Sequence, residues 1–178
     1  MWFKEVPANA AIVANSTIET SFKYGGWYVY EITPDIMILC LNGMYPFYEN
    51  WEEPGKADEM IEWVNKTLAD NPDKHFITQT HVYFGMNYYQ NLEILWNKTY
   101  TDKLLRVLHQ YQDRMIIALG AHIHHIQLMA PKSLELEDLE IVQIISPAVS
   151  PIYMNNPGYG SFKFSAENHV EELIFRFF

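Results

Sequence analysis

Three short strand-like runs, Ile36–Leu41, His75–Thr80 and Met115–Leu119, alternate with two stretches of helical periodicity, and this alternation restricts the chain more than any single motif. Ile36-Met37-Ile38-Leu39-Cys40-Leu41 is apolar at every position, as a strand covered on both faces must be. Between the runs, Ala57, Met60, Ile61, Val64 and Leu68 recur on one helical face, and Trp96, Tyr100, Leu104, Val107, Leu108 and Tyr111 do the same over a longer span. Asp58 and Glu59 then fall in the first turn expected for the earlier helix, where carboxylates complement the helix dipole. Asp70-Asn71-Pro72-Asp73 ends it. Upstream, Phe22 to Ile32 reads as two extended pieces around Gly25-Gly26, followed by a turn at Thr33-Pro34-Asp35. Strand, helix, strand, helix, strand from residue 28 to 119 is the order of a mostly parallel sheet with crossover helices.

Beyond residue 125 the pattern changes. Ile126–Met129, Leu139–Ile145, Tyr159–Phe164 and Val170–Phe178 read as short strands separated by turns such as Asn155-Asn156-Pro157-Gly158, which predicts an antiparallel tail finishing a second sheet. The fold class expected is therefore α/β with an antiparallel β tail, in a single domain over 1–178, with residues 1–20 as an irregular lead-in. At 178 residues and 49% hydrophobic the chain can bury a substantial core.

The last parallel run leads directly into Ala121-His122-Ile123-His124-His125. In an extended segment His122 and His124 face one side and His125 the other, and neutral imidazoles are good metal ligands. Surface and core histidines produce the same spacing, so metal binding and plain packing both stand on spacing alone. His81 follows the His75–Thr80 run, at the strand tip where open α/β sheets bind ligands. The aromatic stretch Val82 to Tyr89 behind it either walls a cleft or packs into the core. His75, His109 and His169 sit at a strand start, on a helix and in a turn, and none is assigned a ligand role. Cys40, the single cysteine, excludes an internal disulfide and reads as a buried strand residue, not a reactive thiol.

A net charge of -10 without a Lys/Arg-rich run excludes an ordinary nucleic-acid binder. No apolar run approaches membrane-spanning length, and the first residues lack the basic start and apolar core of a signal peptide. Asn15, Asn65 and Asn97 each open an Asn-x-Ser/Thr sequon, which tilts the expected localisation towards a secreted or endolysosomal route.

Taken in order, Thr80-His81-Val82-Tyr83-Phe84-Gly85, Ala121-His122-Ile123-His124, Ser146-Pro147-Ala148-Val149-Ser150-Pro151 and Asn155-Asn156-Pro157-Gly158-Tyr159 resemble the calcineurin-like metallophosphoesterases, and within them the acid sphingomyelinase-like phosphodiesterases. Gly25-Gly26-Trp27-Tyr28 and Pro54-Gly55 with Ile61-Glu62-Trp63 are similar to further parts of that family, so the resemblance covers nearly the whole chain. It implies the C-terminal half of a metallophosphoesterase β-sandwich flanked by helices. It also implies two divalent metal ions, zinc being the expected identity, with His81 and His122 sharing one and His124 on the other. The substrate implied is a phosphodiester, a small molecule or a lipid headgroup. Ala121 stands where the family has Gly, and Val82-Tyr83-Phe84 lacks the family's prolines. Its Asp-x-His, Gly-Asp and Gly-Asn-His motifs, which supply the carboxylates and the histidine that protonates the leaving group, belong to the family's N-terminal half and are expected to precede residue 1; Gly-Asp and Gly-Asn-His do not occur here. Asn42-Gly43 is not a substitute. The expectation is thus no catalytic residue in this chain, inactivity alone, and a partner: an N-terminal half from another chain or a longer precursor, or neighbours in an assembly. The alternative is a non-catalytic descendant serving as a structural or interaction module.

Overall fold

The computed structural model describes residues 16–50, 53–88, 92–131, 136 and 138–178. Its centre is a six-stranded sheet formed by β1 (Tyr28–Thr33), β2 (Ile36–Leu41), β3 (His75–Thr80), β6 (Met115–Gly120), β8 (Gln143–Ile145) and β7 (Gln127–Met129), in that spatial order. The four inner strands β2, β3, β6 and β8 run parallel, and β1 and β7 close the two edges antiparallel. The α/β class and the parallel centre are as the alternation requires. Helices α2 (Pro54–Asp70) and α3 (Lys98–Gln110) make the crossovers. The short strands β4 (Met86–Asn87) and β5 (Glu93–Ile94) pair in the loop after β3, and β9 (Gly158–Phe164) with β10 (Val170–Phe177) forms a separate hairpin.

Alternation along the strands gives the sheet two different faces. Leu39, Leu41, Phe76, Ala118 and Ile145 point towards α2 and α3, joining Met60, Val64, Leu68, Leu104 and Leu108 in the main core. Ile36, Ile77, Ile117 and Ile144 point the other way, against Phe162, Phe164, Leu173 and Phe175 of the β9–β10 hairpin. Arg114, just before β6, locks the helical layer to the sheet by donating to the carbonyls of Leu68, Asn71 and Lys74 at 3.0, 2.7 and 3.2 Å. The Leu68 and Asn71 carbonyls lie at the open C-terminal end of α2, where a cation satisfies the backbone and the helix dipole together, and Lys74 lies in the connection to β3.

Several expectations are corrected. Residues 16–24, expected as lead-in and strand, form helix α1 (Ser16–Gly25). Its exposed face is tied by the Lys23–Glu19 ion pair and by Thr20 Oγ1 donating to Ser16 O, while Ile18 is buried. It stops where Gly26 takes φ +73° and donates its N–H to Phe22 O, a left-handed end for which glycine has no steric penalty. Helix α2 begins a turn earlier than its apolar face, at Pro54, so Asp58 and Glu59 are not in its first turn. Of the tail strands, β7 and β8 extend the main sheet and only β9 and β10 stand apart, because the tip of β6 is an open edge beside them. Cys40 is half-buried, not fully buried, with Sγ 3.9 Å from Gln79 Oε1, and burial pushes its thiol pKa up, which keeps it protonated and unreactive.

Candidate functional site

The parallel strands end together at Leu41, Thr80, Gly120 and Ile145, and the three metal-ligand candidates, His81, His122 and His124, lie just beyond the tips of β3 and β6. His81 leaves β3 and His122 leaves β6, and because β3 and β6 are hydrogen-bonded neighbours the two rings meet edge to face with centroids 5.4 Å apart. The loops themselves are stitched by Ala121 N donating to His81 O at 3.1 Å and Ser146 N donating to Gly120 O at 2.9 Å. A cleft of about 320 Å³ opens beside them, lined by His81, Gly120, Ala121 and Ser146 and roofed by Phe162 and Phe175 of the hairpin.

The His122-Ile123-His124 segment is not extended. It bends, with His122 at φ 81° and His124 at φ 62°, while Ile123 is buried and its N–H closes a tight turn on Ala121 O at 3.1 Å. Two non-glycine residues in the left-handed region are costly, about 1–3 kcal/mol each, and such geometry persists where surrounding structure enforces it. Here the buried Ile123 anchors the bend, so the directions of His122 and His124 are set by loop geometry, not by strand alternation. Gly120 permits it: a Cβ there would lie 2.7 Å from Tyr83 Cβ and 2.6 Å from Ile145 Cδ1.

His81 is exposed at the strand tip, and the part of its ring that is desolvated, followed by the charges of His122 and His124, lowers its pKa from the ordinary histidine value, which favours the neutral ring. His124 stacks edge-on to Tyr153 at 4.9 Å, and its Nδ1 is buried without a hydrogen-bond partner. Phe47 lies 6.2 Å from His122. Neither Phe47 nor Tyr153 was singled out from the sequence. Tyr153 follows the Ser-Pro-Ala-Val-Ser-Pro run already matched to a family pattern, and Phe47 sits in the aromatic loop after β2, so position relative to a strand tip was the available signal.

The His81 imidazole and the orphaned buried Nδ1 of His124 suit part of a metal site. A complete set is another matter: among the described residues, no group of three or more His, Cys, Asp or Glu is placed to hold an ion. The described histidines by themselves therefore do not make a two-metal cage, which also needs carboxylates to offset the repulsion between cations.

Residues set aside on sequence grounds have structural roles. Asn42 donates to Gly25 O at 3.1 Å and accepts from Met44 N, forming the turn after β2. His75 Nδ1 lies 3.2 Å from Asn168 Nδ2, and His109 Nε2 lies 2.9 Å from Asp138. Val82, Tyr83 and Phe84 are buried and pack into the core, with Val82 O accepting from Trp96 Nε1 at 2.7 Å and Thr80 Oγ1 at 2.9 Å. Asn97 caps α3 by accepting from Thr99 N at 2.9 Å, Asn65 accepts from Tyr111 Oη on α2, and Asn15 lies outside the described residues. No helix of the described residues is long and apolar enough to cross a membrane.

No family model matches the chain. A solved structure of a Staphylococcus aureus protein described as a 5′-nucleotidase superposes on 84% of this chain and 28% of its own, with a TM-score of 0.43 and 13% identity, and at that score the likeness decides nothing about function. In sequence, the chain is 19% identical over 178 residues to a sphingomyelinase phosphodiesterase D of Dictyostelium discoideum, covering 94% of this chain and 38% of that protein. The chain thus spans little more than a third of a relative that is named as a phosphodiesterase, and the strand tips carrying His81, His122 and His124 lie inside the span compared.

Proposed function

We propose that this chain supplies one wall of a metal-dependent phosphodiester-hydrolysing centre, with His81 and His122 on one ion and His124 on a second. The observation that carries this is the convergence of His81 and His122, 5.4 Å apart at adjacent parallel strand tips, beside a buried His124 Nδ1 that has no hydrogen-bond partner. The distant sequence relationship to a phosphodiesterase supports the same chemistry. His81 contributes a lone pair whose unprotonated form partial desolvation favours, the bend at Ile123 sets the direction of the neighbouring imidazoles, and Tyr153 packs edge-on against His124. Divalent cations, zinc in this proposal, supply Lewis-acid polarisation of a phosphoryl group. The carboxylates such a centre needs come from elsewhere, either from the rest of a longer protein or from a partner chain, and without them the chain is inactive. The substrate class is a phosphodiester on a small molecule or a lipid headgroup. A secretory or endolysosomal setting accompanies the proposal, with the exposed Asn97 as the more accessible of the two described sequons.

Titrating the chain with Zn²⁺ alone, followed by calorimetry, should give weak binding that His122→Ala removes. In the assembled protein, His122→Ala should lower hydrolysis of a chromogenic phosphodiester by at least about 100-fold, and full activity in that variant refutes the assignment. A second reading, a non-catalytic scaffold, is favoured by the burial of Val82, Tyr83 and Phe84, which turns the loop after His81 into core. On that reading a triple His81→Gln, His122→Gln, His124→Gln variant keeps full stability in the presence of Zn²⁺.

A further inference from the structure

On the helical side of the sheet, four buried side-chain atoms have no hydrogen-bond partner among the described residues: Thr78 Oγ1, Thr101 Oγ1 and both amide atoms of Gln143. Gln143 is fully buried and stands in one register row with Thr78, Ala118 and Met129 across β3, β6, β8 and β7. Alternation puts that row on the face beneath α3, since Ala118 belongs to the helical core and Ile144 to the opposite one. A buried amide with neither donor nor acceptor satisfied is rare, because water solvated both in the unfolded chain.

An entrance lies next to it. A cleft of about 410 Å³ is lined by residues of β4, β5, the first turn of α3 and the end of β7, and shares no lining residue with the histidine cleft. Gly85, on its wall, takes φ +124° and carries no side chain; a Cβ there would lie 3.8 Å from Gln143 Oε1 and 3.4 Å from Met129 Cε. The Gln143 amide thus ends directly behind the wall, where Gly85 and Met129 meet. Met129, unbranched and flexible, is a cover that turns aside without moving backbone. Gln127 Nε2 donates to Met86 O at 2.9 Å and ties β4 to β7, which holds the rest of the cleft in place.

We infer that this cleft binds an uncharged aromatic carboxamide, whose amide pairs with Gln143 Nε2 and Oε1 while its ring lies between Met86, Leu105 and Met129. Three observations select that chemistry. An amide with both atoms free is matched by a group carrying a donor and an acceptor side by side, which a carboxylate, with acceptors only, is not. The charged residues among the described lining, Lys98 and Asp102, are paired with each other, so no unpaired charge there recruits an ion. The walls are mostly apolar, and the thioethers of Met86 and Met129 favour an aromatic ring. Thr101 Oγ1 stands at the same cleft for a further polar contact. The inference holds whether or not the histidines bind metal.

The test uses benzamide as the probe and the isotope-labelled full chain in amide NMR. Benzamide should give saturable shifts at the Gln143 side-chain amide, Gly85 and Thr101, with a Kd of about 1 mM or tighter. Benzoate, of the same size but with a carboxylate, should bind at least about tenfold more weakly. Gln143→Leu keeps the volume and removes both unsatisfied atoms, so its melting temperature should not fall, and it should weaken benzamide at least about tenfold. No saturable shift up to about 10 mM, shifts confined to other sites, equal binding of benzoate, or undiminished binding to a folded Gln143→Leu variant each overturns the inference. So does a long-lived water at the Gln143 amide that benzamide does not displace, since the amide then has its partner inside the fold. Should Gln143→Leu fail to fold, the wild-type shift map and the benzoate comparison decide.

Discussion

The two faces of the central sheet are built from the same strands but are finished differently. On the helical face, Leu39, Phe76, Ala118 and Ile145 are sealed beneath two amphipathic helices and joined by fully buried Trp96, Tyr83 and Phe84. On the other face, only Ile36, Ile77, Ile117 and Ile144 are buried, under a two-stranded hairpin whose Phe162, Leu173 and Phe175 are themselves half-exposed. Towards the β1 edge this face carries Tyr28, Tyr30, Ile32 and Cys40, with Ile32 exposed, beyond the residues that cluster with the hairpin. A helix buries a wide apolar stripe with its backbone satisfied internally, while a lone hairpin keeps two open edges and one thin layer of side chains. One face is complete in this chain, then, and the other has the character of a surface that more structure would cover, in keeping with the proposed second half.

That contrast can be broken by stability measurements. Phe76→Ala, on the sealed face, should cost about 3–5 kcal/mol by chemical denaturation, and Phe175→Ala, under the hairpin, roughly 1–2 kcal/mol; equal losses would mean the faces do not differ. Arg114→Ala should cost about 2 kcal/mol, because it leaves three carbonyls at and just beyond the end of α2 without their charged donor, and should loosen the helical layer without disturbing the hairpin in hydrogen exchange. Asn97→Ala, removing the α3 cap, should cost about 1 kcal/mol and speed exchange in the first turn of that helix alone.

The smallest effect concerns the strand tips between the two faces. The folded-state pKa of His81 is depressed from its ordinary 6.5, so the unfolded chain binds more protons as pH falls through that value. His81 therefore costs no stability above that range and progressively destabilises the fold below it. Melting temperature should fall from pH 7.5 towards pH 5, and His81→Gln should flatten that dependence; a wild-type curve flat across this range would mean the His81 imidazole is not desolvated beside its neighbours.

Much of the framework was legible because it rests on local periodicity. The all-apolar Ile36–Leu41 run and the spaced residues from Ala57 to Leu68 can satisfy their backbone and bury their side chains in one way each. Around Phe22 that logic failed: aromatic and polar residues before Gly25-Gly26 suit a strand or a helix equally, and the Glu19–Lys23 pairing with burial of Ile18 decided for the helix. The histidine site was legible as a list of residues and not as a geometry. Alternation in an extended strand predicted that His122 and His124 share a side, whereas the segment bends in the left-handed region around the buried Ile123, with His122 against His81 and His124 against Tyr153.

The sequence by itself determined the parallel α/β core and the strand tips at which His81 and His122 emerge. Only the tertiary structure decided which strands are neighbours, and hence that His81 and His122 stand 5.4 Å apart, that Val82 to Phe84 are core, and that Tyr153 covers His124. The reason is physical. Periodicity reports which side of an element meets water, a local property, whereas ring-to-ring distances between residues about 40 positions apart depend on strand order and loop bends, which arise from packing across the whole sheet.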